Sequence, residues 1–128
     1  MRTSIIALAL VSVVGSSAAF AQVAPSAVTV SPSDAMGSNL VGLDIHNAAN
    51  EDVGEIEDVV LDSGMKVKGL VLSVGGFIGV GSKYVVVDPS AVSITYDANA
   101  KEWKAMMSAT KDQLTAIPEF KYEGKFDD

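Results

Sequence analysis

GEIEDVVLDSGMKVKGLVLSVGGFIGVGSKYVVV, residues 54–87, decides the fold. Val53 to Leu61 alternates and is rich in β-branched residues, as a strand is. Asp62-Ser63-Gly64 is a turn in which the aspartate bonds its own backbone and the glycine accepts positive φ. Lys66 to Val74 returns as the hairpin partner. A glycine-rich connection then leads into Tyr84–Val87, a further strand.

The same period of two extends on both sides. Upstream, Val41, Leu43 and Ile45 alternate with Gly42, Asp44 and His46, which predicts a strand over Leu40–Asn47, followed by a polar turn to Asp52. Downstream, Asp88-Pro89 ends one strand because proline lacks a ladder donor, and Ala91–Tyr96 begins the next. After a turn at Asp97–Lys101, Glu102–Ser108 is a sixth strand with Trp103 as a large core filler. Thr110 and Gln113 have capping-box spacing, which starts a short helix that Pro118 ends. Leu114 and Ile117 then pack on the strands, and Phe120 and Tyr122 can dock from the charged tail. Five to six short strands with one short C-terminal helix predict an all-β domain, a small barrel or sandwich.

The first residues carry an address. Arg2 precedes an apolar run from Ile5 to Val14 and small residues ending in Ala19-Phe20-Ala21, the pattern of a secretory signal peptide cleaved before Gln22. The run is about half the roughly 20 residues a spanning helix needs. Residues 22–38 read as a flexible linker, with an edge strand at Ala27–Val30 as the alternative between Pro25 and Pro32. Residues 39–128 form the domain. The chain has no cysteine, so packing alone must hold it in an oxidising compartment. Without residues 1–21 there remain 107 residues, with 8 lysines against 16 acids and a net charge of −8. Scattered lysines in an acidic chain argue against nucleic acid and anionic membrane surfaces.

Gly54-Glu55-Ile56-Glu57-Asp58-Val59-Val60-Leu61-Asp62, Gly64, and the block Gly75-Gly76-Phe77-Ile78-Gly79-Val80-Gly81-Ser82-Lys83 before a Val-rich strand resemble a PRC-barrel domain. That family is named after the H subunit of the photosynthetic reaction centre, occurs in a ribosomal small-subunit maturation factor, and includes short secreted bacterial proteins. The likeness covers roughly residues 38–92, with a weaker match at Trp103, Thr110–Leu114 and Pro118–Phe120. It implies a small PRC-type β-barrel. It carries over no catalytic residue, and a fold does not imply a function.

The residues offer few sites for chemistry. Gly76 and Gly81 have the outer spacing of a phosphate-binding loop, but Ser82 separates Gly81 from Lys83 and a strand follows where the helix should begin. The glycine loop instead reads as a long hairpin connection whose glycines let Phe77 and Ile78 fold over a barrel end, and Gly75, Gly76, Phe77, Ile78, Gly79, Val80, Gly81 and Lys83 are a candidate interaction loop if its apolar tip points outward. Six of the twelve residues from Glu51 to Asp62 are acidic. The calcium-loop pattern is absent. Glu55 and Glu57 share a strand face with Val59 and Leu61, while Asp58 shares the other with Ile56 and Val60 and accepts backbone hydrogen bonds. His46, the only histidine, has no nucleophile elbow to serve and reads as a surface residue.

The expectation is a non-catalytic protein without cofactor or metal. It would be periplasmic in a Gram-negative bacterium, docking onto an envelope protein or onto itself and staying out of the membrane after cleavage. A small ligand or metal binder using the acidic strand end is the alternative, and a small hydrolase the third.

Overall fold

The computed structural model describes residues 15, 24–75 and 82–127. The chain divides into two compact units, residues 1–31 and 32–128. In the first, residues 24–31 form neither helix nor strand and are exposed, so the alternative strand at Ala27–Val30 is absent. The expected signal peptide lies outside the described residues, Gly15 apart.

The second unit begins with a single helical turn, α1 (Gly37–Leu40), which straddles the expected boundary between linker and domain at residues 38 and 39. The Asn39 side chain accepts from the Met36 N–H at 3.3 Å, and Asn39 N–H donates to the Met36 carbonyl. Four residues are too few for periodicity to reveal. Six strands follow: β1 (Asp44–His46), β2 (Asp52–Leu61), β3 (Val67–Val74), β4 (Lys83–Val87), β5 (Ser93–Asp97) and β6 (Glu102–Met106), with a 3-10 turn at Pro89–Ala91 and α2 (Lys111–Thr115). β1 is shorter than the alternation predicts. Leu40 closes α1 and Gly42 takes φ +89°, so the extended run starts late. Even so, Gly42 N–H donates to Ile56 and Ile56 N–H to Leu43, which keeps this approach to β1 tied to β2.

The strands form one sheet in the order β4-β3-β2-β1-β6-β5. Neighbours are antiparallel except β1 and β6, which run parallel with Ile45 opposite Ala105 and His46 opposite Met106. The mainly-β barrel-like architecture expected from the sequence is present. One hydrophobic cluster fills it, with Ile45, Val53, Ile56, Leu70, Leu72, Val74, Val85, Ala105 and Leu114 at its centre.

β2 bends because its register slips against both neighbours. An extra residue sits between Ile56 and Asp58 opposite β3, and another between Asp52 and Gly54 opposite β1. Such bulges let a short strand curve around a core. They also overturn the simple face assignment: after the bulge at Glu57, Val59 joins Ile56 in packing on the core, while Leu61 is exposed. Close approach fixes two glycines. A Cβ on Gly54 would meet the Ser73 carbonyl oxygen at 2.8 Å, and one on Gly69 would meet Val86 Cγ1 at 2.7 Å.

Two local expectations change and a third holds. In the β2–β3 turn Asp62 Oδ1 accepts from Gly64 and Lys66 N–H as expected, but Met65, not Gly64, takes the positive φ, at 64°. Trp103 is half-buried and lies outside the core cluster, which is built from smaller aliphatic side chains. The α2 capping box forms as read: Gln113 N–H donates to Thr110 Oγ1 at 3.1 Å and Thr110 N–H to Gln113 Oε1 at 2.9 Å.

Gly54→Ala pushes a methyl group against a backbone carbonyl in a packed crossing, and we expect it to cost about 1–3 kcal/mol. A urea titration with an unchanged slope measures this, and a midpoint equal to that of the parent would show that the crossing can open.

Candidate functional site

The glycine loop is described only at its ends. Residues 76–81, which include Phe77, Ile78 and Val80 of the candidate interaction tip, lie outside the described residues. Gly75 has φ 74°, and Lys83 opens β4. The Lys83 ammonium donates to the Thr115 carbonyl and, at 2.7 Å, to that of Ile117. These carbonyls stand at the C-terminal end of α2, where a cation is favoured by the unpaired acceptors. Lys83 therefore anchors the helix to the sheet.

The acidic stretch is occupied by local hydrogen bonding. Asp52 Oδ1 accepts from Gly54 N–H at 3.1 Å, Asp58 Oδ1 from Val59 N–H at 2.8 Å, and Asp62 from its turn. Glu51 accepts from the Asn47 side chain at 3.4 Å. Among the described residues no group of three His, Cys, Asp or Glu side chains is placed to hold a metal ion.

An apolar concavity among the described residues involves a part of the chain that periodicity could not place. Beyond Pro118 the tail crosses the outer face of β2, β3 and β4. Phe120 pairs with Tyr84 and its N–H donates to the Tyr84 carbonyl at 2.7 Å, which lays the tail along the edge of β4. Tyr122 stacks edge-on to both Tyr84 and Phe120, with ring centroids 5.4 and 5.1 Å away. Its hydroxyl donates to Asp58 Oδ2 at 3.1 Å. Val71 is 1% exposed yet lies outside the main core cluster, and it faces this second layer. Between tail and sheet runs a groove of about 550 Å³ whose apolar walls include Val60, Leu61, Val71, Val86, Phe120 and Phe126. Lys68, Asp58 and Asp88 supply its charges. The Ser90 hydroxyl, and then the Ser90 backbone N–H, hold the Asp88 carboxyl below the usual range.

A second cleft, of about 460 Å³, opens beside the parallel β1–β6 pair. Trp103, Leu43, Asp44, His46, Glu102 and Lys104 line it. His46 is thus half-buried in a concavity and is not a plain surface residue as read from the sequence. The Tyr96 ring lies 5.1 Å from that of Trp103 and steadies it. Lys104 pairs with Asp97 at 3.2 Å. The Asp97 carboxyl is held low first by the Ala100 N–H, then by Lys104 and the Asn99 N–H.

Residues 34–114 match the model of the PRC-barrel domain, more than half of the chain. The chain belongs to that family. No curated protein matches it significantly. The match ends at Leu114, so the tail that walls the groove lies beyond it.

Burial, then the hydrogen bond to Asp58, and then the charges of Asp58 and Glu57 push the Tyr122 phenol from its ordinary 10.0 up to about 12. A raised folded-state value means that the neutral phenol stabilises the docked tail fully below pH 10.0 and that this contribution fades as pH climbs through about 12. We expect a tyrosinate absorbance step near pH 12 that disappears in Tyr122→Phe. The variant should also lose less of its own stability than the parent between those two pH values.

Proposed function

We propose that this PRC-barrel protein is a non-catalytic docking module of the bacterial envelope, exported through a cleaved signal peptide, that binds a partner protein or a second copy of itself. The groove carries the reading. Leu61, Val86 and Phe126 line it while remaining 46%, 36% and 55% exposed. Val67, cross-strand partner of Leu61, extends the apolar surface to the hairpin. Exposed apolar surface grouped around a concavity marks an interaction face more often than scattered single residues do. Aromatic side chains in such a groove are the usual anchors of binding energy.

Local order around the groove supports the same use. The tail and sheet form it through backbone pairing and ring contacts, so a partner meets a surface that already has its shape. The carboxylates nearest to it serve Tyr122 and Ser90, which is the work of positioning groups. The export part of the proposal rests on the N-terminal pattern of Arg2, the apolar run and Ala19-Phe20-Ala21.

Val86→Glu places a charge in the groove at an exposed position, where the cost to stability should stay within about 0.5 kcal/mol. Cross-linking in envelope extract should give the parent a reproducible adduct, either a heterologous partner or a dimer, that the variant lacks at unchanged melting temperature. An adduct formed equally by both proteins removes the groove from the proposal. Mass spectrometry of the exported protein should show an N-terminus at Gln22, and an intact Met1 in the periplasm would overturn the cleavage.

A further inference from the structure

We propose that β5 is a self-association edge: two copies of this chain pair β5 against β5, antiparallel about a two-fold axis at Thr95, so that the sheet continues across the contact. The two ends of the sheet are treated differently. β4 stands at one end, where the tail meets it through the Tyr84–Phe120 bridge. β5 stands at the other, and among the described residues only β6 pairs with it. The backbone N–H and C=O groups along its outer side are therefore a template for a further strand. Proline, lysine or a bulge commonly blunts such an edge. β5 has none of these: Ser93-Ile94-Thr95-Tyr96-Asp97 runs against β6 in five consecutive pairs without a register shift.

The side chains decide what fits this edge. Pairing about Thr95 sets Ile94 opposite Tyr96 of the second copy, Thr95 opposite its own counterpart, and Ser93 opposite Asp97. An aromatic beside a β-branched residue and a threonine beside a threonine are both favourable cross-strand pairs. Ile94 and Tyr96 share a strand face with their β6 partners Ala105 and Trp103. Ile94 packs on the core, whereas Tyr96, one step further along that face, stays 50% exposed with its ring 5.1 Å from that of Trp103. Ile94 of a second copy covers that exposed ring. The charges select the same arrangement. Asp97 is the only charged residue of β5, and Lys104 already neutralises it at 3.2 Å. Antiparallel pairing keeps the two Asp97 carboxylates apart by the length of the overlap, about 13 Å, while parallel pairing in register would set them side by side. The strand is thus complementary to itself in one direction only.

This contact is separate from the groove, which lies across β2, β3 and β4 and includes no residue of β5, so the two proposals fail independently. Sedimentation velocity of the purified protein should show a reversible monomer–dimer equilibrium. The short overlap sets its dissociation constant on the order of 100 µM, and added salt should tighten it by screening the repulsion between two acidic chains. Thr95→Glu faces Lys104 within each copy but a second glutamate across the axis. It should weaken the dimer by about tenfold or more at an unchanged melting temperature, while Val86→Glu in the groove should leave the dimer intact. Single cysteines read the register, since the chain has none of its own. Thr95→Cys places two Cβ atoms about 5 Å apart across the axis, and mild oxidation should link it at least about tenfold faster than Ser93→Cys, whose counterpart lies too far for a disulfide. A monomer at every concentration up to about 1 mM, a dimer lost in Val86→Glu but kept in Thr95→Glu, or equal cross-linking of the two cysteine variants would each overturn the proposal.

Discussion

β3 must be covered on both of its faces, and the rest of the domain follows from that requirement. Leu70, Leu72 and Val74 project into the main core, while Val71, equally buried, projects the other way. A sheet strand in which side chains on both faces are apolar needs two layers against it. The inner layer is the curl of the sheet itself, closed by Leu114 of α2. The outer layer is the C-terminal tail with Phe120 and Tyr122. With no cysteine in the chain, this two-sided burial is the main source of stability.

Holding the outer layer falls to a few specific contacts. Lys83 ties the end of α2 to the start of β4, and Phe120 pairs with the next residue, Tyr84. The helix end and the start of the tail are thereby fixed to one strand within two residues of each other. Asp58 then receives the Tyr122 hydroxyl from across the sheet face. Asp58, which resumes pairing opposite Val71 directly after the bulge at Glu57, thus becomes the latch of the tail, and the groove is the space this latch leaves open. The tail that walls the groove lies past the end of the family match at Leu114.

Acidic residues in this protein serve chiefly as geometry. Asp52, Asp62, Asp88 and Asp97 each accept backbone N–H groups two to four residues ahead, closing turns that a strand-rich chain needs often. That use explains why so dense a run as Glu51–Asp62 does not converge on a shared centre. Asp44 and Glu102 stand apart from it, since they sit on strands, face a concavity and close no turn.

Local pattern determined much. The strand runs, the Asp62 turn and the Thr110–Gln113 cap were legible because each depends on residues within a few positions of one another: alternation, a side chain bonding its own backbone, a reciprocal cap. Family membership was legible for the same reason, from Gly54–Asp62 and the glycine block. What alternation cannot carry is any relation between distant segments. The bulge at Glu57 shifts Val59 onto the core face, the parallel pairing of β1 with β6 creates the Trp103 cleft, and the tail buries Val71. Each follows from which surfaces meet after the sheet curls, so only the tertiary structure decided them. Gly54 shows the boundary most clearly: its place in the motif is written in the chain, while the reason for it, a carbonyl 2.8 Å from where a side chain would begin, exists only once β3 is packed beside it.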